Sequence, residues 1–230
     1  MLAVVFAAAT VALLAAALMA LVTQPLVTPL RSTPPEVDPA RLEAHVRRLT
    51  IDFYPRSYDQ RGNLQRAAQY VFDQFKAAGA DVEFQDVIVR GATYKNVVAR
   101  FGPMSGPLLV IGAHYDSNGV TDTAAGGAQH YSPETRTPGA DDNASGVAGL
   151  IELARLLGRE SQTRAIELVA YTLEEPPHFA TEHVGSGWHA RALVSAKRQV
   201  ELMLSLGMIG YLSDGTGHHG YLDAGESGKA

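Results

Sequence analysis

The chain has 230 residues, a formal net charge of -5, 46% hydrophobic and 19% charged residues, enough for one sizeable α/β domain with a short appendage. Neither a basic excess nor an acidic tail is present, so nucleic acid is not an expected partner. With 0 cysteines, a disulfide framework and a thiol nucleophile are excluded, and a transition metal would have to be held by His, Asp or Glu.

No side chain from Met1 to Val22 is charged. An apolar run of about 20 residues matches a bilayer core, so residues 1–22 read as a transmembrane anchor that leaves the following domain on the extracytoplasmic side. A cleaved signal segment is the rival reading: Ala20 supplies a small residue before a cut, but the basic start is missing. A buried core helix is the third, although so uniform a helix at a terminus rarely belongs to a soluble core. Arg31 is the first charge after the segment, which leaves little orientation signal. Pro25, Pro29, Pro34, Pro35 and Pro39 punctuate the next stretch of chain, so 23–38 reads as a linker and 39–230 as the globular domain.

Asp38 is placed to cap a helix from Pro39 to Leu49, with proline at its first position. Leu64, Ala67, Ala68, Val71, Phe72 and Phe75 recur at helical spacing, predicting a helix from Asn63 to Ala78 that Gly79 ends. Val82–Ile88 and Asn96–Phe101 read as a hairpin turning near Gly91. Leu108–Ala113 is a continuous apolar run suited to a buried central strand. The Gly-, Thr- and Ser-rich stretch from Ser117 to Ala140 reads as a long loop of the kind that is often functional. Ala144–Leu157 is an amphipathic helix, Ala165–Tyr171 a strand, Val184–Val194 a helix and Val200–Leu206 a strand. This alternation predicts a mostly parallel sheet covered on both faces.

Three polar clusters fall at the ends of predicted elements: His114-Tyr115-Asp116, Asp141-Asp142-Asn143 and Glu174-Glu175. Taken singly, the first is an ordinary polar loop, the second a helix cap and the third a solvated pair. Their joint position sets them apart, because open α/β sheets bind ligands beyond the carboxyl ends of their strands. An imidazole with carboxylates suits zinc, with cobalt or manganese as rivals. His114 can offer one ring nitrogen to a metal while Asp116, two residues on, holds the other. Of the paired glutamates, one can bind metal and the other can move a proton.

Gly112–Ser117, Pro138–Val147, Glu174-Glu175-Pro176-Pro177 and Gly185-Ser186 closely resemble the zinc peptidase family of bacterial leucyl aminopeptidase. That family also includes glutamate carboxypeptidase, glutaminyl cyclase and the transferrin receptor ectodomain, and the likeness runs from about Asp38 to Asp214. It implies a three-layer α/β/α sandwich with a mostly parallel sheet, and two zinc ions bridged by a carboxylate. Carried over, His114 and Glu175 look like terminal metal ligands, Asp141 like the bridging carboxylate, Glu174 like the general base and Asp116 like the partner of His114. The Asp141–Asp142 peptide is expected to be cis.

The sequence departs from the family in two places. Gly207 stands where the family has a carboxylate ligand, and the family's last histidine ligand falls past Ala230. His218 and His219 read as a loop or tail rather than as replacements. The resemblance therefore supports one zinc site, at His114, Asp141 and Glu175, in a domain expected to lack its C-terminal part. It implies a zinc-dependent exopeptidase of the aminopeptidase type that cleaves N-terminal peptide bonds of a peptide substrate with a metal-activated water, impaired by the loss of one metal site. A non-catalytic membrane-anchored binding domain and a single-zinc glutaminyl cyclase are the alternatives. Retention of Glu174, which has little structural duty, argues against the non-catalytic reading.

Overall fold

A computed structural model describes residues 10–19, 37–118, 120–121, 130–131, 136–210, 212–213 and 219–220. The chain divides into two compact units, Met1–Glu36 and Val37–Ala230. In the first, residues 10–19 form helix α1, with its side chains exposed. The rest of the apolar segment and most of the proline-punctuated stretch lie outside the described residues. Among the described residues, no helix is long and apolar enough to cross a membrane.

The second unit begins with α2, Pro39–Arg47, where the Asp38 side chain accepts from the Ala40 N–H at 2.9 Å. The helix widens into a π-helical turn, Arg48–Asp52, instead of running on to Leu49 as an α-helix. Helix α3, Arg61–Ala77, buries Leu64, Ala67, Ala68, Val71 and Phe75, as their spacing predicts. Strands β1, Asp81–Val89, and β2, Ala92–Phe101, pair antiparallel across Arg90 and Gly91. Both turn residues have positive φ, 49° and 78°, the backbone that a tight two-residue hairpin requires.

Strand β3, Leu108–His114, is followed by the short antiparallel pair β4, Val120–Thr121, and β5, His130–Tyr131, inside the stretch expected to be loop. A π-helical segment, Ala140–Ser145, leads into α4, Gly146–Leu157. Then come β6, Ala165–Tyr171, α5, Gly185–Ser195, and β7, Val200–Ser205. Strands β8, Leu212–Ser213, and β9, His219–Gly220, pair antiparallel, so His219 lies on a short strand and not in a loop, while His218 is outside the described residues.

The main sheet has the order β1-β2-β6-β3-β7. β6, β3 and β7 run parallel, and the hairpin joins them through an antiparallel β2–β6 pairing. One face packs α3 and α4 through Val71, Phe75, Val147, Leu150 and Leu168, all fully buried. The other carries Val98, Leu108, Val110 and Val169 under Leu193 of α5. This is the expected α/β/α sandwich with a sheet that is parallel at its centre. α2 is tied to α4 by Glu152, whose carboxylate accepts from Arg41 at 2.9 Å and Arg155 at 2.8 Å. β6 is buried along its whole length, and the charge it carries, Glu167, is held by Arg100 and His189 at 3.0 Å each. Among the described residues β7 is the edge strand of this sheet, exposed at every residue.

Candidate metal centre

His114 and Tyr171 are register partners at the ends of β3 and β6. The clusters that follow these strands therefore open at one edge of the sheet. The remaining cluster, Asp141-Asp142-Asn143, is brought to the same edge by a sharp entry into α4. Gly139 has φ +60°, and a Cβ there would sit 2.4 Å from the Asp142 carbonyl oxygen and 2.8 Å from Ser117 Cβ. Only glycine fits that approach without displacing backbone. The chain then passes through non-helical conformations at Asp142 and Asn143 before α4 starts.

The result is a cluster of His114, Asp142 and Glu175, each offering a ligand atom within 4.8 Å of the others. His114 Nε2 lies 3.0 Å from Asp142 Oδ1 and 3.7 Å from Glu174 Oε2. On the far side of the ring, Nδ1 is 3.4 Å from Asp116 Oδ1. Asp116 is almost fully buried, and its two oxygens accept from the backbone N–H groups of Glu174 at 3.1 Å and Glu175 at 3.0 Å. One carboxylate thus backs the imidazole and fixes the turn that presents both glutamates.

The expected bridging residue is displaced by one position. Asp141 is not in the cluster: its Oδ1 accepts from the Gly210 N–H at 3.0 Å and lies 3.5 Å from Ser145 Oγ. Asp142 occupies the position expected of Asp141, because the irregular backbone at 142–143 swings the second acid toward His114. The cis peptide follows the same shift and lies at Asp142–Asn143, not Asp141–Asp142. Asn143, fully buried, locks this segment to the end of β7: its Nδ2 donates to the Leu206 carbonyl at 2.8 Å, and its Oδ1 accepts from Gly146 at 3.1 Å and Met208 at 3.3 Å. The tripeptide Asp141-Asp142-Asn143 was the available sequence signal for both residues, but residue type does not say which acid faces inward.

The imidazole and three of the acids around it, Asp142, Glu174 and Glu175, are perturbed. Burial works to lower the His114 pKa, but hydrogen bonding and charge from Asp116, Asp142 and Glu174 overcome it and raise it to about 10. Burial, then the charges of Asp116 and Asp142, push Glu175 up to about 8. Burial also raises Glu174, whereas the hydrogen bond from His114 lowers Asp142. Such mutual strain is what a divalent cation relieves, since metal ligands must shed their protons and a metal's charge offsets that of the carboxylates. The donor set, one imidazole nitrogen and carboxylate oxygens gathered within 4.8 Å, fits zinc.

The cluster opens into a cleft of about 620 Å³ whose lining joins His114, Asp142, Glu174 and Glu175 with the apolar Phe179, Met203 and Met208. Gly207 also lines it, and a Cβ there would meet nothing within 4 Å. Tyr171 is part of the same lining, its hydroxyl 3.2 Å from His189 Nδ1.

The sequence pattern of Peptidase family M28 matches residues 96–224, which hold every residue of this cluster. YfbL of Escherichia coli (strain K12) is 48% identical over 200 residues, covering 86% of this chain and 58% of that protein. Leucine aminopeptidase 1 of Pyrenophora teres f. teres (strain 0-1) is 27% identical over 201 residues, covering 83% of this chain and 46% of that protein. The crystal structure of Porphyromonas gingivalis glutaminyl cyclase superposes with a TM-score of 0.62 at 25% identity, over 76% of this chain and 62% of that one. The chain therefore spans about half to two thirds of the length of these relatives.

Proposed function

The chain belongs to peptidase family M28, and from that premise we propose that it is a zinc-dependent exopeptidase of the aminopeptidase type, cleaving N-terminal peptide bonds. The observation that carries this reading is the convergence of His114, Asp142 and Glu175 within 4.8 Å, with Glu174 beside them and outside the ligand group. His114, Asp142 and Glu175 would hold the metal. When bound, zinc supplies Lewis-acid polarisation of a scissile carbonyl and makes water nucleophilic near neutral pH.

The protein's own groups do the rest. Glu174 faces the cleft and is half-buried, and the desolvation that raises its pKa makes its carboxylate a stronger base. It takes the proton of the attacking water and returns it to the departing amine. Asp116 keeps the His114 ring turned toward the cluster and holds the Glu174 backbone in place. Phe179, Met203 and Met208 give the cleft an apolar wall for a substrate side chain.

The test is hydrolysis of aminoacyl anilides by the full chain with bound zinc measured in parallel. Zinc-dependent turnover that Glu174→Gln abolishes while zinc stays bound supports the proposal. Failure to bind zinc at all defeats it. The likeness to a glutaminyl cyclase favours a second reading, ring closure of an N-terminal glutamine. Release of ammonia from a glutaminyl peptide without anilide hydrolysis would select it, and bound zinc with neither activity would select a non-catalytic binding domain. The uncharged residues 1–22 support attachment to a membrane; the side on which the domain lies is proposed as the outer one, and carbonate washing and protease protection of intact cells would test both.

A further inference from the structure

Arg56 lies in the irregular segment between the π-helical turn and α3, and no step of peptide hydrolysis uses it. Its side chain is 0% exposed. Its guanidinium donates four hydrogen bonds, all to backbone carbonyls: Nε to Tyr115 at 2.8 Å, Nη1 to Leu49 at 2.6 Å and to Pro138 at 2.9 Å, and Nη2 to Gly139 at 3.0 Å. Its own carbonyl accepts from the Ser117 N–H at 3.2 Å.

The position of these acceptors is informative. Tyr115 stands between His114 and Asp116. Pro138 and Gly139 are the last residues before the turn that delivers Asp142. The two segments are far apart in sequence, and one planar fork spans them. The packing is close enough that a Cβ on Gly139 would lie 3.0 Å from Arg56 Nη2.

Burying a guanidinium is costly, and an apolar side chain of similar volume would fill the space more cheaply. The carbonyl contacts account for the hydrogen-bonding groups but not for the charge. Burial lowers its pKa to about 10, opposed chiefly by the nearby charge of Asp116, so the group stays cationic at neutral pH. A fixed positive charge thus stands behind a cluster of acids, and lysine could not reproduce the fork, since its ammonium is a point donor.

We infer that Arg56 is a positioning residue for the metal cluster, holding the His114 and Asp142 backbones at the separation that lets their side chains share one cation. The inference rests on the reading that this cluster binds zinc. It sets the geometry of the apo site, so it shows in metal affinity whether or not the chain turns over substrate.

Zinc affinity is measured by competition with a chromogenic chelator, and thermal unfolding is followed alongside, for the full chain, Arg56→Lys, Arg56→Met and Val71→Ala. Val71 is fully buried in α3, so its truncation lowers stability without touching the site. Arg56→Lys is expected to fold and to bind zinc about 10- to 100-fold more weakly, Arg56→Met at least as weakly, and Val71→Ala within about two-fold of the parent. Parental affinity in Arg56→Lys, or an equal loss in Val71→Ala, overturns the inference. Failure of Arg56→Lys to fold also overturns it, because the residue would then serve the whole fold. Absence of zinc binding by the parent chain defeats the metal reading instead.

Discussion

Zinc is expected to stabilise the folded chain, and the stabilisation is expected to depend on Asp142 and not on its neighbour. A ligand that binds only the native state adds about 4 kcal/mol when its free concentration is about 1,000 times its Kd. For a domain of about 150–250 residues, each kcal/mol moves Tm by about 2–4 °C. The unit Val37–Ala230 falls in that range, so saturating zinc should raise Tm by about 8–16 °C. Asp142→Asn replaces an anionic ligand 3.0 Å from His114 Nε2 with a neutral amide, and the zinc-induced shift should collapse. Asp141→Asn keeps an Oδ1 that can still accept from the Gly210 N–H, now at 3.0 Å, and most of the shift should survive. Differential scanning calorimetry in zinc buffered by a chelator reads both. A shift that persists in Asp142→Asn, or vanishes in Asp141→Asn, would refute the assignment of the inward-facing acid.

Three further outcomes are expected of the same molecule. His114, raised to about 10, and Glu175, raised to about 8, both carry protons in the metal-free site at neutral pH, and both must lose them to bind zinc. Apparent affinity should therefore climb by about two decades per pH unit below pH 8 and about one between pH 8 and 10; a flat profile would sink the idea. Because a side chain at Gly207 has open space and faces the cleft, Gly207→Glu should raise the zinc bound per chain, and unchanged stoichiometry would count against that position as a lost ligand. Glu152→Ala, which releases Arg41 and Arg155 from a buried carboxylate, should cost about 1–3 kcal/mol by urea unfolding, less than a sealed ion pair because both arginines reach water. The folded-state pKa of Glu152 is lowered, so its contribution is present above the usual carboxylate range and is lost as pH falls through the folded value. The gap between parent and variant should accordingly close in acid.

Most of the fold could be read from local pattern. The apolar run at Leu108–Ala113 and the helical spacing from Leu64 to Phe75 determine their own conformations through the surface they must bury. That His114, Asp116, Glu174 and Glu175 would come together was legible because they lie at or just past the ends of β3 and β6. The choice between Asp141 and Asp142 was not, since two adjacent acids differ only in which way the backbone turns, and contacts with Leu206, Met208 and Gly210 set that turn. Arg56 was invisible for a related reason: its partners are backbone carbonyls up to 83 residues away, and any residue type can provide those. The pairing of β2 with β6, not with β3, likewise depends on a register between segments far apart in sequence.

β7 has a consequence in time as well as in space. Among the described residues it is hydrogen-bonded on one side only, to β3, and Leu202, Met203 and Leu204 are each 46–47% exposed. β3 is flanked on both sides. Amide hydrogens of β7 should thus exchange with solvent deuterium well before those of β3, through openings that leave the rest of the sheet intact. An opening that reaches Leu206 would free the acceptor of Asn143, so exchange along β7 should report how firmly the acid next to Asn143 is held toward His114.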